Sequence, residues 1–328
     1  METIKINRNE EQQRLDRFLR KYLKNAPLSY VYKAIRKDVK VNGRRVKEDY
    51  ILAEGDEIQL YMSTDALSTY LKPNEREKSK RQFRIAYEDE NLIVVEKPFG
   101  LLTHGDQTEK KNTLANQVLS YLIETGAYVP RMEKTFVPSP VNRLDRNTTG
   151  LVIFGKNGET LMELNRLIRE REAIRKFYVT IVAGEMKEPL QLKDYMLKDA
   201  RTNTVEVASS SRGIPGEKSM ETLATPKKVK KGYSLVEIEL VTGRTHQIRA
   251  HLAQAGFPVI GDPKYGRAMI NEKIRQRFHW SAQVLHATRL VFQKMTGPLA
   301  YLEGLQVEAP LPDHFQEMVD QLFEGVNG

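Results

Sequence analysis

The stretch PVNRLDRNTTGLVIFGKN, residues Pro140 to Asn157, constrains this chain more than any other. It sets an arginine-flanked aspartate in a turn directly before a short apolar run. Val141 to Asp145 reads as an extended approach, Asn147 to Gly150 as turn chemistry, and Leu151 to Phe154 as a buried strand. The Asp145 carboxylate is therefore expected at a loop tip beside the core. Side chains alternate along an extended segment, so Arg143 and Asp145 share a face while Arg146 turns away. A nearby guanidinium favours the ionised carboxylate, which suits a nucleophile or base at neutral pH. A structural Arg-Asp pair that stabilises the turn is the competing account of the same spacing.

Arg143-Leu144-Asp145, then Arg146, Thr148, Thr149, Gly150 and Leu151, resembles the signature H-R-L-D-x-x-T-S-G of the RluA-like pseudouridine synthases. The resemblance implies that Asp145 is catalytic. Asn142 stands where that family usually has His, and Thr149 where it usually has Ser. Both departures bear on substrate positioning, since the acid itself is kept.

The chain has 328 residues, enough for a sizeable core and about two domains. Its 52 Lys and Arg against 43 Asp and Glu give a net charge of +9. Clustered cations bind phosphates by releasing condensed counterions, so a nucleic acid is the expected partner. No apolar run approaches the ~20 residues that span a bilayer, and METIKINRNE lacks the pattern of a signal peptide. A cytoplasmic protein without a membrane partner is expected. With no cysteine there is no disulfide, thiol nucleophile or thiolate metal site.

From Arg14, RLDRFLRKYL puts Leu15, Phe18, Leu19 and Leu23 on one helical face with cations around it. Pro27 breaks this helix, Ser29 is placed to cap a second one through Arg36, and VKVNGRRV reads as a hairpin turning at Asn42-Gly43. EIQLYM supplies a third strand. The order resembles the S4-type RNA-binding domain, and its expected RNA contacts are Arg14, Arg17, Lys33, Arg36, Arg44 and Arg45. A solvated basic face is the plainer reading of the same charges. Ser63 to Gln82 loses apolar periodicity and reads as a flexible linker.

A second unit opens near Phe83. NLIVVEK is a buried strand followed by Pro98 and Gly100, which resembles the family's first motif; Lys97 and His104 lie close to it but are left out of the catalytic set. Thr113 to Thr125 has helical spacing, as does Gly158 to Ala173. RKFYVTIVAG alternates as a strand, and the resemblance makes Tyr178 the base-stacking or acid/base aromatic, although a strand Tyr is by itself an ordinary core residue. Lys187 to Lys231 yields only short strand candidates, NTVEVA and ETLATPKKV. SLVEIELVTGRTHQIRAHLAQAG then reads as a strand to Val241, a turn, and a helix over Thr245–Ala255. With GDPKYG beyond, it resembles the family's third motif. That match makes Arg244 the expected basic partner of Asp145, with Arg249 as the fallback. His246 and His251, five residues apart, do not share a helix face as a metal-binding pair would. LHATRLVFQK and a Pro-bounded C-terminal helix complete the likeness.

The expected architecture is α+β: an S4-like domain over residues 1–65 (core about 12–62), a linker over 66–82, and a catalytic domain over 83–328 with a mixed, largely antiparallel sheet, the pseudouridine-synthase fold. The implied activity is isomerisation of specific uridines to pseudouridine in RNA, with large-subunit ribosomal RNA the expected substrate rather than DNA. The reaction adds and removes nothing, so no cofactor or metal is expected. Arg143 and Arg146 are expected to contact the RNA around a flipped base, the enzyme acting as a monomer. A non-catalytic RNA-binding ribosome assembly factor is the alternative, using the same basic surface without needing Asp145.

Overall fold

The computed structural model describes residues 1–71, 80–130, 135–199, 201–202 and 204–324. The N-terminal unit is a three-stranded antiparallel sheet carrying two helices. β1 (Glu2–Lys5) and β2 (Val39–Val41) flank β3 (Glu57–Leu60), with α1 (Leu15–Tyr22) and α2 (Leu28–Lys37) between β1 and β2 in sequence. α1 buries Leu15, Phe18 and Leu19, while Asp16 in its first turn and Arg20 and Lys21 in its last complement the helix dipole. Three details depart from the sequence reading. Pro27, not Ser29, holds the N-cap position of α2. Asn42 and Gly43 do turn with positive φ, at 51° and 76°, but the chain does not return as a long hairpin arm. Only Arg44 bridges back to Val41, and β2 pairs with β3 instead. The reason is register: β3 offers Ile58 and Leu60 to the core, whereas Arg44 and Arg45 have nothing apolar to bury.

The expected linker begins with a helix, α3 (Thr64–Tyr70), capped by the Ser63 hydroxyl accepting from the Ala66 N–H. Leu67, Tyr70 and Leu71 pack on the first core, so the unit reaches past residue 65. Pro73, Ser79 and most of NEREKSKRQ lie outside the described residues.

The second unit is built on one large sheet. Its strands are β4 (Arg84–Glu88), β5 (Leu92–Lys97), β6 (Ser139–Pro140), β7 (Thr149–Gly155), β8 (Ile174–Ala183), β9 (Leu190–Asp199), β10 (Thr204–Ala208), β11 (Lys218–Lys230), β12 (Tyr233–Leu240), β13 (Leu285–Phe292) and β14 (Gln306–Glu308). The spatial order is β10-β9-β11-β12-β8-β13-β7-β5-β4, with β14 on β13 and β6 on β7. Neighbours are antiparallel except β13 and β7, which run parallel. The mixed, largely antiparallel α+β architecture is therefore the observed one.

Helices α4 (Leu114–Glu124), α5 (Gly158–Glu170), α6 (Gln247–Gln254), α7 (Ala268–Phe278) and α8 (Asp313–Val319) cover this sheet. Among the described residues no helix is long and apolar enough to cross a membrane. β7 is buried along its whole length because both its faces are covered: Val152 and Phe154 enter one core, Leu151 and Ile153 another. Gly150 is required where β7 meets β13, since a Cβ there would lie 2.1 Å from the Ala287 carbonyl oxygen. The region from Lys187 to Lys231, weakly patterned in sequence, forms long strands. β9 and β11 carry polar side chains on an exposed face, which hides the two-residue apolar period. The N-terminal unit meets the start of α5, where the Gly158 N–H donates to Asn9 Oδ1 at 2.9 Å and Arg8 pairs with Glu159 at 2.7 Å.

Candidate active site

Asp145 ends the approach to β7 and opens a turn closed by the Thr148 N–H donating to its carbonyl at 3.0 Å. The flanking residues are pinned on both sides. At Leu144, the Thr103 hydroxyl donates to the carbonyl at 3.0 Å and stands 3.2 Å from the N–H. At Arg146, the Lys97 ammonium donates to the carbonyl at 2.8 Å, and also to the carbonyls of Pro98 at 3.0 Å and Leu101 at 2.8 Å. Lys97 is 1% exposed, and burial pushes its amine down to about 7 against the pull of the Asp145 charge. Three carbonyls need three N–H donors, which only the ammonium has. Lys97→Met is expected to lower stability by about 2 kcal/mol through the abandoned carbonyls, checked by denaturant unfolding.

The two departures from the family motif have structural roles. Asn142 accepts from the Ile153 N–H at 2.9 Å and donates to the Leu151 carbonyl at 3.2 Å, tying the approach segment to β7. The Thr149 hydroxyl lies 2.7 Å from Nδ1 of His286, a residue 2% exposed. Burial pushes that imidazole down to about 4 from 6.5. A base with a depressed folded pKa stays neutral while its unfolded counterpart takes up a proton, so stability present above pH 6.5 is lost as the pH falls towards about 4. The expected loss is up to about 3 kcal/mol. Unfolding curves across this range should show it for the native chain and not for His286→Gln.

The partner of Asp145 is Arg249, not Arg244. Arg249 Nη1 donates to Asp145 Oδ2 at 2.8 Å, while its Nε and Nη2 form a fork on Asp262 at 2.7 and 2.9 Å. Asp262 is fully buried and Arg249 is 4% exposed. Burial opposes both charges, yet their mutual pairing prevails, raising the guanidinium and lowering the Asp262 carboxyl. The reason Arg244 fails as partner lies in α6. This helix begins at Gln247, later than the sequence reading placed it, after His246 in the left-handed region at φ 52°. The corner swings Arg244 to the cleft wall, where its Nε donates to the Ser219 carbonyl at 3.3 Å. Arg249, on the first turns of α6, faces the Asp145 loop instead.

His246 lies 4.0 Å from Asp145 and 3.0 Å from the Tyr265 hydroxyl. Burial lowers its pKa, against the pull of the Asp145 charge. His251 points elsewhere, towards Thr222 at 2.8 Å and Asp194 at 3.0 Å. Tyr178, midway along β8, is 5% exposed and lines the cleft with Asp145. Burial first, and the Asp145 charge second, raise its hydroxyl pKa, so the ring stays neutral.

These groups line a cleft of about 670 Å³ whose rim includes Arg143, Arg146, Arg171, Lys198, Arg244 and Lys264. A smaller recess beside Asp145 has Tyr178, Leu240, Ile248 and Leu285 among its lining residues, together with Arg143, Arg244, His246 and Arg249. Arg143 and Arg146 are exposed, Arg146 reaching Asp106 at 3.9 Å. In the N-terminal unit Arg17, Lys33, Arg36, Arg44 and Arg45 are exposed as well. Arg14 is committed to Asp16 through two hydrogen bonds, at 3.0 and 3.1 Å. The sequence reading missed Asp262, whose signal was a lone acid in the Gly-bounded GDPKYG loop. It also missed Arg171 and Lys198, which no local pattern marks.

Comparison with known proteins agrees with this arrangement. Residues 91–254 match the family model described as RNA pseudouridylate synthase, and residues 13–58 match that of the S4 domain. The chain is 31% identical to the ribosomal large subunit pseudouridine synthase C of Buchnera aphidicola subsp. Schizaphis graminum, over 97% of this chain and 96% of that protein. It is 30% identical to the protein of the same name from Escherichia coli (strain K12), over 97% and 96%. In fold it is similar to human RNA Pseudouridylate Synthase Domain Containing 4, with a TM-score of 0.56 at 22% identity, over 73% of this chain and 92% of that one. An acid held at a loop tip by a buried guanidinium, in a cation-rimmed cleft beside a neutral aromatic ring, is thus found in a chain that belongs to the RNA pseudouridylate synthase family.

Proposed function

We propose that this enzyme isomerises specific uridines of large-subunit ribosomal RNA, with Asp145 as its catalytic carboxylate. The observation that carries the reading is the 2.8 Å pairing of Asp145 with the buried Arg249, at the mouth of a basic cleft deep enough for an extruded nucleotide. The substrate class follows the names of the relatives that this chain matches over nearly its full length.

The reaction breaks the N-glycosidic bond, turns the uracil and joins its carbon five to the same ribose. Extruding the target base costs a few kcal/mol of lost stacking, which the cations at the rim offset through phosphate contacts. Attack on the ribose, removal of a ribose proton and addition to the uracil ring all require an unprotonated oxygen at Asp145. Arg249 orients that oxygen. Tyr178 packs against the uracil as an uncharged ring and, with the buried Leu240, Ile248 and Leu285, offers the base an apolar wall that displaces water, which strengthens the charge interactions around it. Arg244, facing the cleft rather than the acid, contacts the RNA backbone together with Arg143 and Arg146.

We infer further that the N-terminal unit binds RNA through Arg17, Lys33, Arg36, Arg44 and Arg45, with Arg14 holding the helix start. That unit, extended by α3 to Leu71, precedes a catalytic unit over 83–328. We infer a monomer, and the bacterial relatives support a cytoplasmic enzyme. The test is a pseudouridine map of large-subunit ribosomal RNA with and without the gene. Identical maps would refute the substrate assignment.

A further inference from the structure

Beside the cleft, and outside its lining, stand three aromatic rings. Phe99 and Trp280 have centroids 4.5 Å apart, Trp280 and His314 stack at 4.1 Å with 20° between planes, and Phe99 lies 6.2 Å from His314. The indole is fixed by its N–H donating to the Ala282 carbonyl at 2.7 Å. Trp280 packs on the core around Val284 and Phe315, which accounts for its inner face. No such burial accounts for Phe99, which is 43% exposed on the turn between Pro98 and Gly100.

That turn is bound to the catalytic loop. The Lys97 ammonium gathers the carbonyls of Pro98 and Leu101 on one side of Phe99 with the carbonyl of Arg146, the neighbour of Asp145. On the other side, Gln283 lies three residues beyond Trp280; it lines the cleft and donates to the Thr148 hydroxyl at 3.3 Å. The exposed ring is therefore carried by the two segments that frame the Asp145 turn.

We propose that Phe99, backed by Trp280 and His314, is a stacking platform for an unpaired base of the substrate RNA outside the uridine pocket. An RNA strand that has surrendered one base to the cleft leaves neighbours with an open face. An exposed ring accepts any of them, because every base has a π-face. The direct link of this turn to the Asp145 turn through Lys97, in a chain of net charge +9, favours an RNA strand over an apolar protein partner.

The chain has a single tryptophan, so Trp280 fluorescence reports on the platform directly. The full chain would be titrated with a single-stranded oligouridylate and with unmodified large-subunit rRNA transcript, following fluorescence and filter binding. Both RNAs are expected to change the emission. Phe99→Ala and Phe99→Leu should weaken binding of each about tenfold, in the range of one stacked base. Phe99→Tyr should restore it, and KM for modification should rise in the Ala variant with kcat unchanged. Unchanged emission at saturation, or wild-type binding by Phe99→Leu, would overturn the proposal. Since this inference rests on RNA as substrate, failure of the native enzyme to modify the transcript would remove the ribosomal assignment, while the oligouridylate still decides the platform.

Discussion

Asp145→Asn is expected to lower kcat for pseudouridine formation by more than about a thousandfold, a loss of at least about 4 kcal/mol of transition-state stabilisation. The amide is nearly the same size, and its oxygen can still accept from Arg249, so the loop, held independently by Thr103 and Lys97, should keep its shape. What disappears is the charge and basicity that each of the three chemical routes requires. RNA affinity should stay close to that of the native enzyme, because the cations at the cleft rim are untouched. Chemical mapping of pseudouridine, beside a filter-binding assay, separates the two quantities. Normal modification by this variant would end the assignment of Asp145.

Arg249→Ala is expected to damage both stability and activity. Asp262 would lose its charged fork and keep the N–H groups of Lys264, at 2.8 Å, and Tyr265, at 3.2 Å, as partners for a fully buried carboxylate. Removing one member of such a pair costs about 3–5 kcal/mol. The double variant Arg249→Met with Asp262→Leu removes both charges and should recover most of that stability, since no fully buried ion is left unpaired and Asp145 is partly exposed. Activity should not recover, because Asp145 still lacks the guanidinium hydrogen bond that orients it. Thermal unfolding and turnover measured on both variants therefore distinguish a positioning role from a purely structural one; recovery of activity in the double variant would refute it. The pair also sets an acid limit. Pairing holds the Asp262 carboxyl below its ordinary 3.8, so its contribution is complete above that pH and is lost as the pH falls through the depressed value.

The expected and observed partners of Asp145 show where local reading stops. Arg244 and Arg249 belong to one motif, five positions apart. Choosing between them depended on where α6 starts, and the left-handed turn at His246 delays that start until Gln247. A β-propensity scan is equally blind to β9 and β11, because strands with a polar exposed face lack the apolar alternation that marks a half-buried sheet. The helix α3 was hidden for a related reason: seven residues with one buried side chain, Leu67, make too short a pattern to distinguish from a linker.

By itself, the order of residues determined the elements whose burial is periodic and whose boundaries are marked by caps and turns: α1, α4, β5, β7, β8 and the turn presenting Asp145. Its charge balance likewise pointed to a polyanionic partner. The tertiary structure alone decided which cation meets the acid, that Lys97 gathers three carbonyls beneath the Asp145 loop, and that Arg171 and Lys198 share one cleft with Asp145 and Arg249, which lie 104 positions apart in the chain. Those outcomes depend on strand order and helix starts, which set distances through space. Local propensity acts only along the chain and carries no record of them.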